Sequence, residues 1–327
     1  MNVLVTGAAG FVGPHLVRAL RAAGHTPWGV GLEAEPSAAL QGDAAVARWA
    51  RWDLAAGPDA GREALAWGAD AIVHLAGQAS AARSFDDPRG TFEANAFGTL
   101  ALLEAARAAS FRGPILLVSS SEVYGRLTEG VPATESARIA PVSPYGASKA
   151  AAEAIGSAYA RGHGMRVVIA RAFSHTGPGQ GPSFALASWA RQVAELEARA
   201  ARGEPGPYRL EVGNLEPVRD YSDVRDVVRA YLVLLELGEA GEAYNVASGR
   251  GIALREALAM LRLKARMPIE VVESGTRLRP ADLSYLVGDA SRLMALGWSP
   301  RHVFEETLEA LLDGARRETG APVQGGA

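Results

Sequence analysis

Near its start the chain reads Asn2-Val3-Leu4-Val5-Thr6-Gly7-Ala8-Ala9-Gly10-Phe11-Val12-Gly13, an apolar run followed by three evenly spaced glycines. The run predicts a buried strand, and the apolar periodicity at about 14–23 predicts a helix directly after it. Gly7 permits a tight turn, Gly10 lets the backbone approach a pyrophosphate, and Gly13 lets helix and strand pack closely. Because a helix N-terminus offers free N–H groups to phosphates, this stretch predicts a dinucleotide site.

The next predicted strand, at 26–32, leads into Glu33. A carboxylate at this point can accept hydrogen bonds from both ribose hydroxyls of a dinucleotide, and it repels a 2′-phosphate. Since no Arg or Lys occurs from position 22 to 47, the sequence slightly favours NAD over NADP. The alternative is that Glu33 is an ordinary solvated loop residue.

Composition bounds the class of protein. The 327 residues are 48% hydrophobic and 21% charged with a formal net charge of −3, which fits a globular protein and gives no indication of a nucleic-acid or membrane partner. Cysteine is absent, which excludes disulfides and a thiol nucleophile, and the six histidines lack metal-ligand spacing, so we expect no metal site. No apolar run reaches membrane-spanning length, and no charged leader precedes the first strand. We therefore expect a cytoplasmic enzyme.

Strands and helices alternate through the first half of the chain. Apolar runs at 71–77 and 115–118 predict further strands, and a helix is predicted at about 88–109. Such alternation predicts an α/β fold with a doubly wound parallel sheet, in which ligands bind at the carboxyl ends of strands. Three serines follow the second of these strands. For the first and last of them, Ser119 and Ser121, we expect hydrogen bonds to nearby backbone.

A helix start is predicted at Ser143-Pro144-Tyr145-Gly146-Ala147-Ser148-Lys149. Ser143 suits the N-cap, and Pro144 suits the first helical position. Tyr145 and Lys149 then lie on one helix face. Because an ammonium beside a phenol favours the phenolate, we expect the pKa of Tyr145 to fall toward the range of an acid–base catalyst. Taken alone, the motif is also typical of an ordinary amphipathic helix.

Together these features resemble the extended short-chain dehydrogenase/reductase family, which acts on nucleotide sugars. The resemblance covers residues 1 to about 318 and is carried by the Thr6–Gly13 glycines, Asp53, Asn95, Ser120, Tyr145 and Lys149. It implies a Rossmann sheet with a smaller C-terminal substrate domain. The expected dinucleotide-binding domain is 1–171 plus about 215–247, the nucleotide-sugar domain is about 172–214 plus 248–318, and the disordered tail is 319–327.

The second half of the chain is similar to the GDP-mannose branch of that family. The similarity lies in segments 171–180, 212–226, 278–282 and 296–300. Within the branch the chain most resembles the enzymes that reduce a 4-keto sugar. The implied reaction is hydride transfer from NAD(P)H to the C4 ketone of GDP-4-keto-6-deoxy-mannose, giving GDP-rhamnose. A GDP-mannose 4,6-dehydratase, another nucleotide-sugar epimerase or dehydratase, and a catalytically silent dinucleotide-binding regulator remain as alternatives.

The resemblance also implies roles for individual side chains. Tyr145 is expected to donate a proton to the sugar O4, Lys149 to hold the nicotinamide ribose, and Ser120 to hydrogen-bond the reacting oxygen. Glu122 stands where the dehydratases have the base that removes the C5 proton, and in a reductase it would only position the sugar. The expected cofactor contacts are Gly7, Gly10, Phe11, Val12, Gly13, Glu33, Asp53, Leu54, Leu75, Ala76, Asn95, Tyr145 and Lys149.

Substrate contacts are implied in the second half of the chain. Arg219 and Arg279 are expected at the diphosphate, because guanidinium forks match phosphate geometry. The branch usually has Asn where Ser174 stands and Glu where Asp282 stands. Members commonly dimerise through two helices per subunit, here about 88–109 and 144–161, so we expect a homodimer. The full set of expected substrate contacts is Ser174, His175, Arg191, Arg219, Arg279 and Asp282.

Overall fold

A computed structural model describes residues 1–275 and 283–321. Arg279 and Asp282, both predicted to bind substrate, lie outside the described residues, as do residues 322–327 of the predicted tail. The described strands are β1 (Asn2–Thr6), β2 (Thr26–Gly31), β3 (Arg48–Arg51), β4 (Ala71–His74), β5 (Ile115–Ser120), β6 (Val167–Ala172), β7 (Ser174–Thr176), β8 (Arg209–Val212), β9 (Val218–Asp223), β10 (Ala243–Val246), β11 (Gly251–Ala253), β12 (Glu270–Glu273) and β13 (Tyr285–Leu286).

The helices alternate with these strands. They are α1 (Val12–Ala22), α2 (Arg62–Ala66), α3 (Ala81–Asp86), α4 (Pro88–Phe92), α5 (Gly98–Ala108), α6 (Pro144–His163), α7 (Ala185–Ala201), α8 (Val224–Leu237), α9 (Leu254–Leu263), α10 (Ser291–Ala295) and α11 (Phe304–Thr319).

The main sheet has seven parallel strands in the order β3-β2-β1-β4-β5-β6-β10. From β1 the chain builds the sheet toward one edge through β2 and β3, and from β4 it builds toward the other edge. Ligands bind doubly wound sheets where this direction changes, here between β1 and β4. The predicted Rossmann fold is confirmed, and β10 is an edge strand of the sheet, paired with β6.

Apolar side chains cover both faces of the main sheet. On one face α1 and α8 pack through residues such as Leu16, Leu20 and Leu234. On the other face α5 packs through Leu102 and Leu103. Because both faces are buried, the strands are nearly continuous apolar runs, as parallel strands usually are.

A second hydrophobic core lies outside the main sheet. It joins α7, α9, α11 and β8 through Trp189, Leu258, Leu308 and Leu210. Its buried residues fall within segments 172–214 and 248–318, which were predicted to form the substrate domain. Residues of the segment 283–298, however, pack into the first core, so the proposed domain boundaries stay a prediction.

Three boundaries differ from the prediction. Helix α1 begins at Val12, two residues before the predicted start. The helix predicted at 88–109 is divided by a π-helical turn at Glu93–Phe97, whose buried Asn95 is fixed by polar contacts described below. Helix α11 continues through Thr319, where the predicted tail begins, and the Thr319 hydroxyl donates to the carbonyl of Ala315 at 2.9 Å.

Candidate active site

A cleft of about 1070 Å³ lies at the carboxyl ends of β1, β4 and β5 and extends to the second core. Its walls include the glycine-rich turn, the serines after β5 and the start of α6 on the side of the main sheet. On the other side they include Ser188 and Trp189 of α7. The cleft therefore joins the predicted cofactor region to the predicted substrate region.

The glycine-rich turn fits a dinucleotide. A Cβ added at Gly7, whose φ is +67°, would lie 2.7 Å from the backbone nitrogen of Ala76. A Cβ at Gly13 would lie 1.9 Å from the carbonyl oxygen of Ala8. Side chains at these positions would force β1, β4 and α1 apart, so glycine leaves bare backbone at the phosphate end of α1.

The other predicted cofactor contacts fall into two groups. Asp53 lines the cleft while its Oδ1 accepts the N–H of Ala55 at 3.0 Å. Asn95 is instead buried behind the cleft wall, where its amide accepts the N–H of Gln78 at 2.8 Å and donates to the Ser148 hydroxyl at 2.8 Å. Asn95 therefore holds the loop after β4 against α6. The remaining predicted contacts line the cleft: Gly7, Gly10, Phe11, Val12, Gly13, Glu33, Leu54, Leu75, Ala76, Tyr145 and Lys149.

Helix α6 begins as predicted. The Ser143 hydroxyl accepts the N–H of Gly146 at 3.0 Å, and Pro144 is the first helical residue. The same hydroxyl donates to Glu122 Oε2 at 2.8 Å. Tyr145, one residue into the helix, is hydrogen-bonded to Ser120. The cap thus fixes Tyr145 and Glu122 relative to each other at the floor of the cleft.

The electrostatics of Tyr145 differ from the prediction. Burial raises the pKa of Tyr145, the hydrogen bond from Ser120 opposes this rise, and the charge of Glu122 adds to it. The Nζ of Lys149 donates a hydrogen bond to the carbonyl of Val118 at 2.9 Å. Burial lowers the pKa of Lys149 to about 8, although the charge of Glu153 opposes the fall. The tyrosine is therefore held as a neutral phenol, a proton donor.

The predicted substrate contacts Ser174, His175 and Arg219 line the cleft. The His175 ring stacks on Phe11 at a centroid distance of 6.0 Å and an angle of 10°. Its Nδ1 lies 2.9 Å from the carbonyl oxygen of Phe173, and burial lowers the pKa of His175. A neutral histidine therefore joins the glycine-rich turn to the strand that leads into the substrate side.

Arg191 does not line the cleft, so its predicted contact with the substrate stays a prediction. It lies on α7, where Trp189, Ala190 and Val193 face the second core. Helical spacing places Arg191 and Glu195 on the opposite, exposed face. There the guanidinium Nε donates to the Glu195 carboxylate at 2.9 Å.

Sequence reasoning missed several residues of the site. Trp189, Tyr221 and Tyr231 line the cleft. Their patterns are those of ordinary core residues, although Tyr221 lies inside segment 212–226, which carries part of the family resemblance. Ser119 was expected to bond nearby backbone, but its hydroxyl donates to the buried carboxylate of Glu153 at 2.5 Å. This partner is 34 residues away in the chain and carries no local signal.

Metal sites and membrane spans are absent from the part of the chain that the structure describes. Within residues 1–275 and 283–321 no group of three or more His, Cys, Asp or Glu side chains could hold a metal ion. Among the helices described there, none is long and apolar enough to cross a membrane.

Comparisons with known proteins agree with this geometry. The chain is 39% identical to the GDP-6-deoxy-D-mannose reductase of Pseudomonas aeruginosa, over 95% of this chain and 96% of that protein. The structure of RMD from Pseudomonas aeruginosa complexed with NADPH matches with a TM-score of 0.82 and 39% identity, over 97% of this chain and 99% of that one.

A third relative is an epimerase. The structure of the Thermus thermophilus UDP-glucose 4-epimerase in complex with NAD matches with a TM-score of 0.84 and 33% identity, over 97% of this chain and 99% of that one. These relatives confirm the predicted class, an NAD(P)-dependent enzyme of nucleotide sugars. The family model described as GDP-mannose 4,6 dehydratase matches residues 4–311, and the chain therefore belongs to that family.

Proposed function

We propose that this protein is a nucleotide-sugar reductase that converts GDP-4-keto-6-deoxy-mannose to GDP-rhamnose. The observation that carries the proposal is the state of Tyr145, a buried phenol with a raised pKa that is hydrogen-bonded to Ser120 in the cleft. A ketone that accepts a hydride must also accept a proton, and a neutral phenol can supply it. The similarity to a GDP-6-deoxy-D-mannose reductase supports the same reaction.

The chain's own residues would act on the carbonyl oxygen. NADH or NADPH, when bound, supplies the hydride that reaches C4. Ser120 donates a hydrogen bond to the sugar O4 and stabilises the charge that develops there, a contribution of about 3 kcal/mol in comparable sites. Tyr145 gives its hydroxyl proton to O4. Lys149, as an ammonium, stabilises the phenolate that remains.

The substrate side of the cleft suits a sugar diphosphate. Arg219 lines it and donates one guanidinium N–H to the carbonyl of Val218 at 3.0 Å. A planar guanidinium matches the geometry of phosphate oxygens. We therefore assign Arg219 to the diphosphate and Ser174 and His175 to the sugar side. The predicted roles of Arg279 and Asp282 stay predictions.

One observation favours the dehydratase as the second candidate. Glu122 lines the cleft near Tyr145 and its charge raises the pKa of Tyr145. A carboxylate there could remove the C5 proton of a GDP-4-keto sugar. However, one oxygen of Glu122 already accepts the Ser143 hydroxyl, and a carboxylate stabilised by a hydrogen bond is a weaker base. This contact supports a positioning role and hence the reductase.

The predicted homodimer and cytoplasmic location remain proposals. Phe97, in the predicted dimer helices, keeps 60% of its surface exposed, and a large exposed aromatic side chain fits an interface. We expect light scattering to give twice the chain mass of 34.1 kDa, and Phe97→Ser to shift the protein toward monomer. A wild-type monomer at micromolar concentration would contradict the dimer.

The test of function is redox stoichiometry. Purified protein is incubated with reduced cofactor and GDP-4-keto-6-deoxy-mannose, and with GDP-mannose and UDP-glucose as comparisons, while nicotinamide absorbance is followed. A reductase consumes one reduced cofactor per 4-keto sugar, with Tyr145→Phe as the inactive control. Dehydration or epimerisation without net cofactor consumption would overturn the proposal.

A further inference from the structure

Helix α6 carries a third polar residue in line with the two catalytic ones. Tyr145, Lys149 and Glu153 are spaced by four residues, so they lie on one helix face, one turn above another. Glu153 is buried, with 4% of its surface exposed. A buried carboxylate needs partners, and the reaction proposed above gives it no role.

Arg171 is the main partner of Glu153. Its Nε donates to Glu153 Oε1 at 3.0 Å and its Nη2 donates to Oε2 at 2.8 Å. Arg171 lies on β6 directly beside Ser119 of β5, and the Ser119 hydroxyl donates to the same Oε1 at 2.5 Å. The carboxylate is therefore bound on both oxygens by two neighbouring strands.

Arg171 also has hydrogen-bond partners other than Glu153. Its Nη1 donates to the Tyr124 hydroxyl at 3.0 Å and to the carbonyl of Glu135 at 2.9 Å. The Tyr124 hydroxyl in turn donates to Asn245 Oδ1 at 2.7 Å on β10. Such a satisfied network is rigid, because no member can move without leaving a buried group unpaired.

These contacts tie α6 to consecutive residues of β5. Lys149 bonds the carbonyl of Val118, Glu153 accepts the Ser119 hydroxyl, and Tyr145 is hydrogen-bonded to Ser120. The contact between Glu153 and β5 therefore fixes the position of α6, and with it the positions of Lys149 and Tyr145. A shift there would change the distance between the Tyr145 and Ser120 hydroxyls.

The charges around Lys149 give Glu153 a second effect. Burial lowers the pKa of Lys149 to about 8, and the negative charge of Glu153 opposes this fall. His74, which faces Lys149 from β4, adds no charge near neutral pH, because burial and the Lys149 ammonium lower its pKa to about 3. Burial raises the pKa of Tyr145, which is therefore neutral. Arg171 is the partner of Glu153 and is positive.

We propose that Glu153, held by Arg171, is a positioning residue of the active site that keeps Lys149 aligned and in its ammonium form. The proposal rests on the reductase function in so far as it needs Lys149 charged during proton transfer. It goes beyond that function because Glu153 does not line the cleft assigned to substrate and cofactor. Its effect passes through Lys149 and through the tie to Ser119.

The direct test is the pKa of Lys149 in the free protein. The chain has two lysines, Lys149 and Lys264, so protein labelled with ¹³Cε-lysine gives two signals, and Lys264→Arg assigns them. We expect Glu153→Gln to lower the pKa of Lys149 by about one unit, because the negative charge of Glu153 opposes the fall of this pKa on burial. This readout requires no turnover.

Glu197 provides a matched control. Its carboxylate, with 4% of its surface exposed, is bound by Arg316 at 2.8 Å in the second core. Glu197→Gln therefore removes an equally buried ion-paired carboxylate that is remote from Lys149. We expect the pKa of Lys149 to be unchanged in this variant.

The kinetic readout is the alkaline limb of the kcat/KM profile. If the pKa of Lys149 falls by one unit, the ratio of wild-type to Glu153→Gln kcat/KM rises from near one at about pH 6 to about tenfold at about pH 9. A merely structural loss would lower the rate equally at every pH. Failure of the proposed function shows in the wild type as an absence of turnover, whereas failure of the positioning role shows in the variant alone.

A folding defect in Glu153→Gln would leave Arg171 buried without its partner. The double variant Glu153→Gln/Arg171→Met removes both charges, and such replacements of buried pairs often fold well. Removing the positive charge of Arg171 offsets part of the effect, so the pKa of Lys149 should fall in this variant by less than in Glu153→Gln. An unchanged pKa of Lys149, or an unchanged alkaline limb, in either folded variant would overturn the proposal.

Discussion

The two cores of the molecule contain buried ion pairs of nearly the same geometry. In Glu153–Arg171 the side chains are 5% and 7% exposed and their closest atoms are 2.8 Å apart. In Glu197–Arg316 they are 3% and 7% exposed, again at 2.8 Å. Considered as isolated interactions, the two pairs are equivalent.

Their surroundings differ. In the first pair, Glu153 lies on the same helix as Tyr145 and Lys149 and accepts the hydroxyl of Ser119, the neighbour of Ser120. The second pair joins α7 to α11: Arg316 donates to the carbonyl of Lys264 at 2.9 Å, and Glu197 accepts the N–H of Arg266 at 3.1 Å. The same interaction therefore supports catalysis in one core and packing in the other, and its neighbours decide which.

The largest expected effect is on stability, and it should be the same in both cores. Removing one partner leaves a buried charge uncompensated, so we expect Glu153→Gln and Glu197→Gln each to lower the free energy of unfolding by about 3–5 kcal/mol. Urea denaturation measures both. A loss below about 1 kcal/mol in either variant would mean that water reaches that pair.

The next largest effect is on kcat, and we expect it from a change in the first core but not from one in the second. Tyr145→Phe removes the proton donor, so kcat should fall by at least about a hundredfold while cofactor binding is retained. Glu197→Gln, assayed where it is folded, should keep its kcat. Turnover near the wild-type rate in the phenylalanine variant would remove Tyr145 from the mechanism.

Glu122 gives a smaller effect within the first core. Because Glu122 is a positioning group that accepts the Ser143 hydroxyl, Glu122→Gln should lower the rate of ketone reduction by less than about a hundredfold. This loss is smaller than the one expected when a general base is removed. Steady-state rates for the 4-keto sugar decide this. A loss beyond about a thousandfold would assign proton abstraction to Glu122.

The smallest effect concerns cofactor choice. Glu33 lines the cleft, and a carboxylate there repels a 2′-phosphate, so NAD(H) should bind at least as tightly as NADP(H). Calorimetric titration of wild type and Glu33→Ala tests this, and the alanine variant should gain relative affinity for NADP(H). A clear wild-type preference for NADP(H), the form seen in the Pseudomonas aeruginosa structure, would show that another residue holds the phosphate.

Local patterns account for most of the fold and for the centre of the site. The glycines at 7, 10 and 13, the Ser143 cap and the Tyr145–Lys149 spacing act within one or two turns of chain, so sequence spacing fixes their geometry. The same holds for the order of strands and helices, because each element has its own apolar periodicity.

The surroundings of that centre could not be predicted in the same way. The Glu153–Arg171 pair depends on the register of β5 and β6, which brings Ser119 beside Arg171. The direction of the Tyr145 pKa depends on burial, which no four-residue spacing shows. Arg191 was a candidate because it lies on a predicted helix between positions 174 and 210, whereas the face of α7 that it occupies is set by the second core.

The central claim is ketone reduction at C4, and isotope transfer tests it most directly. Protein is incubated in ordinary water with GDP-4-keto-6-deoxy-mannose and cofactor carrying deuterium at the transferable position, and the product is analysed by NMR. We predict one deuterium at C4 of GDP-rhamnose per cofactor oxidised. In a second arm, with GDP-mannose and oxidised cofactor in deuterium oxide, we predict no deuterium at C5. Deuterium at C5 with loss of the 6-hydroxyl would contradict ketone reduction and make the protein a dehydratase.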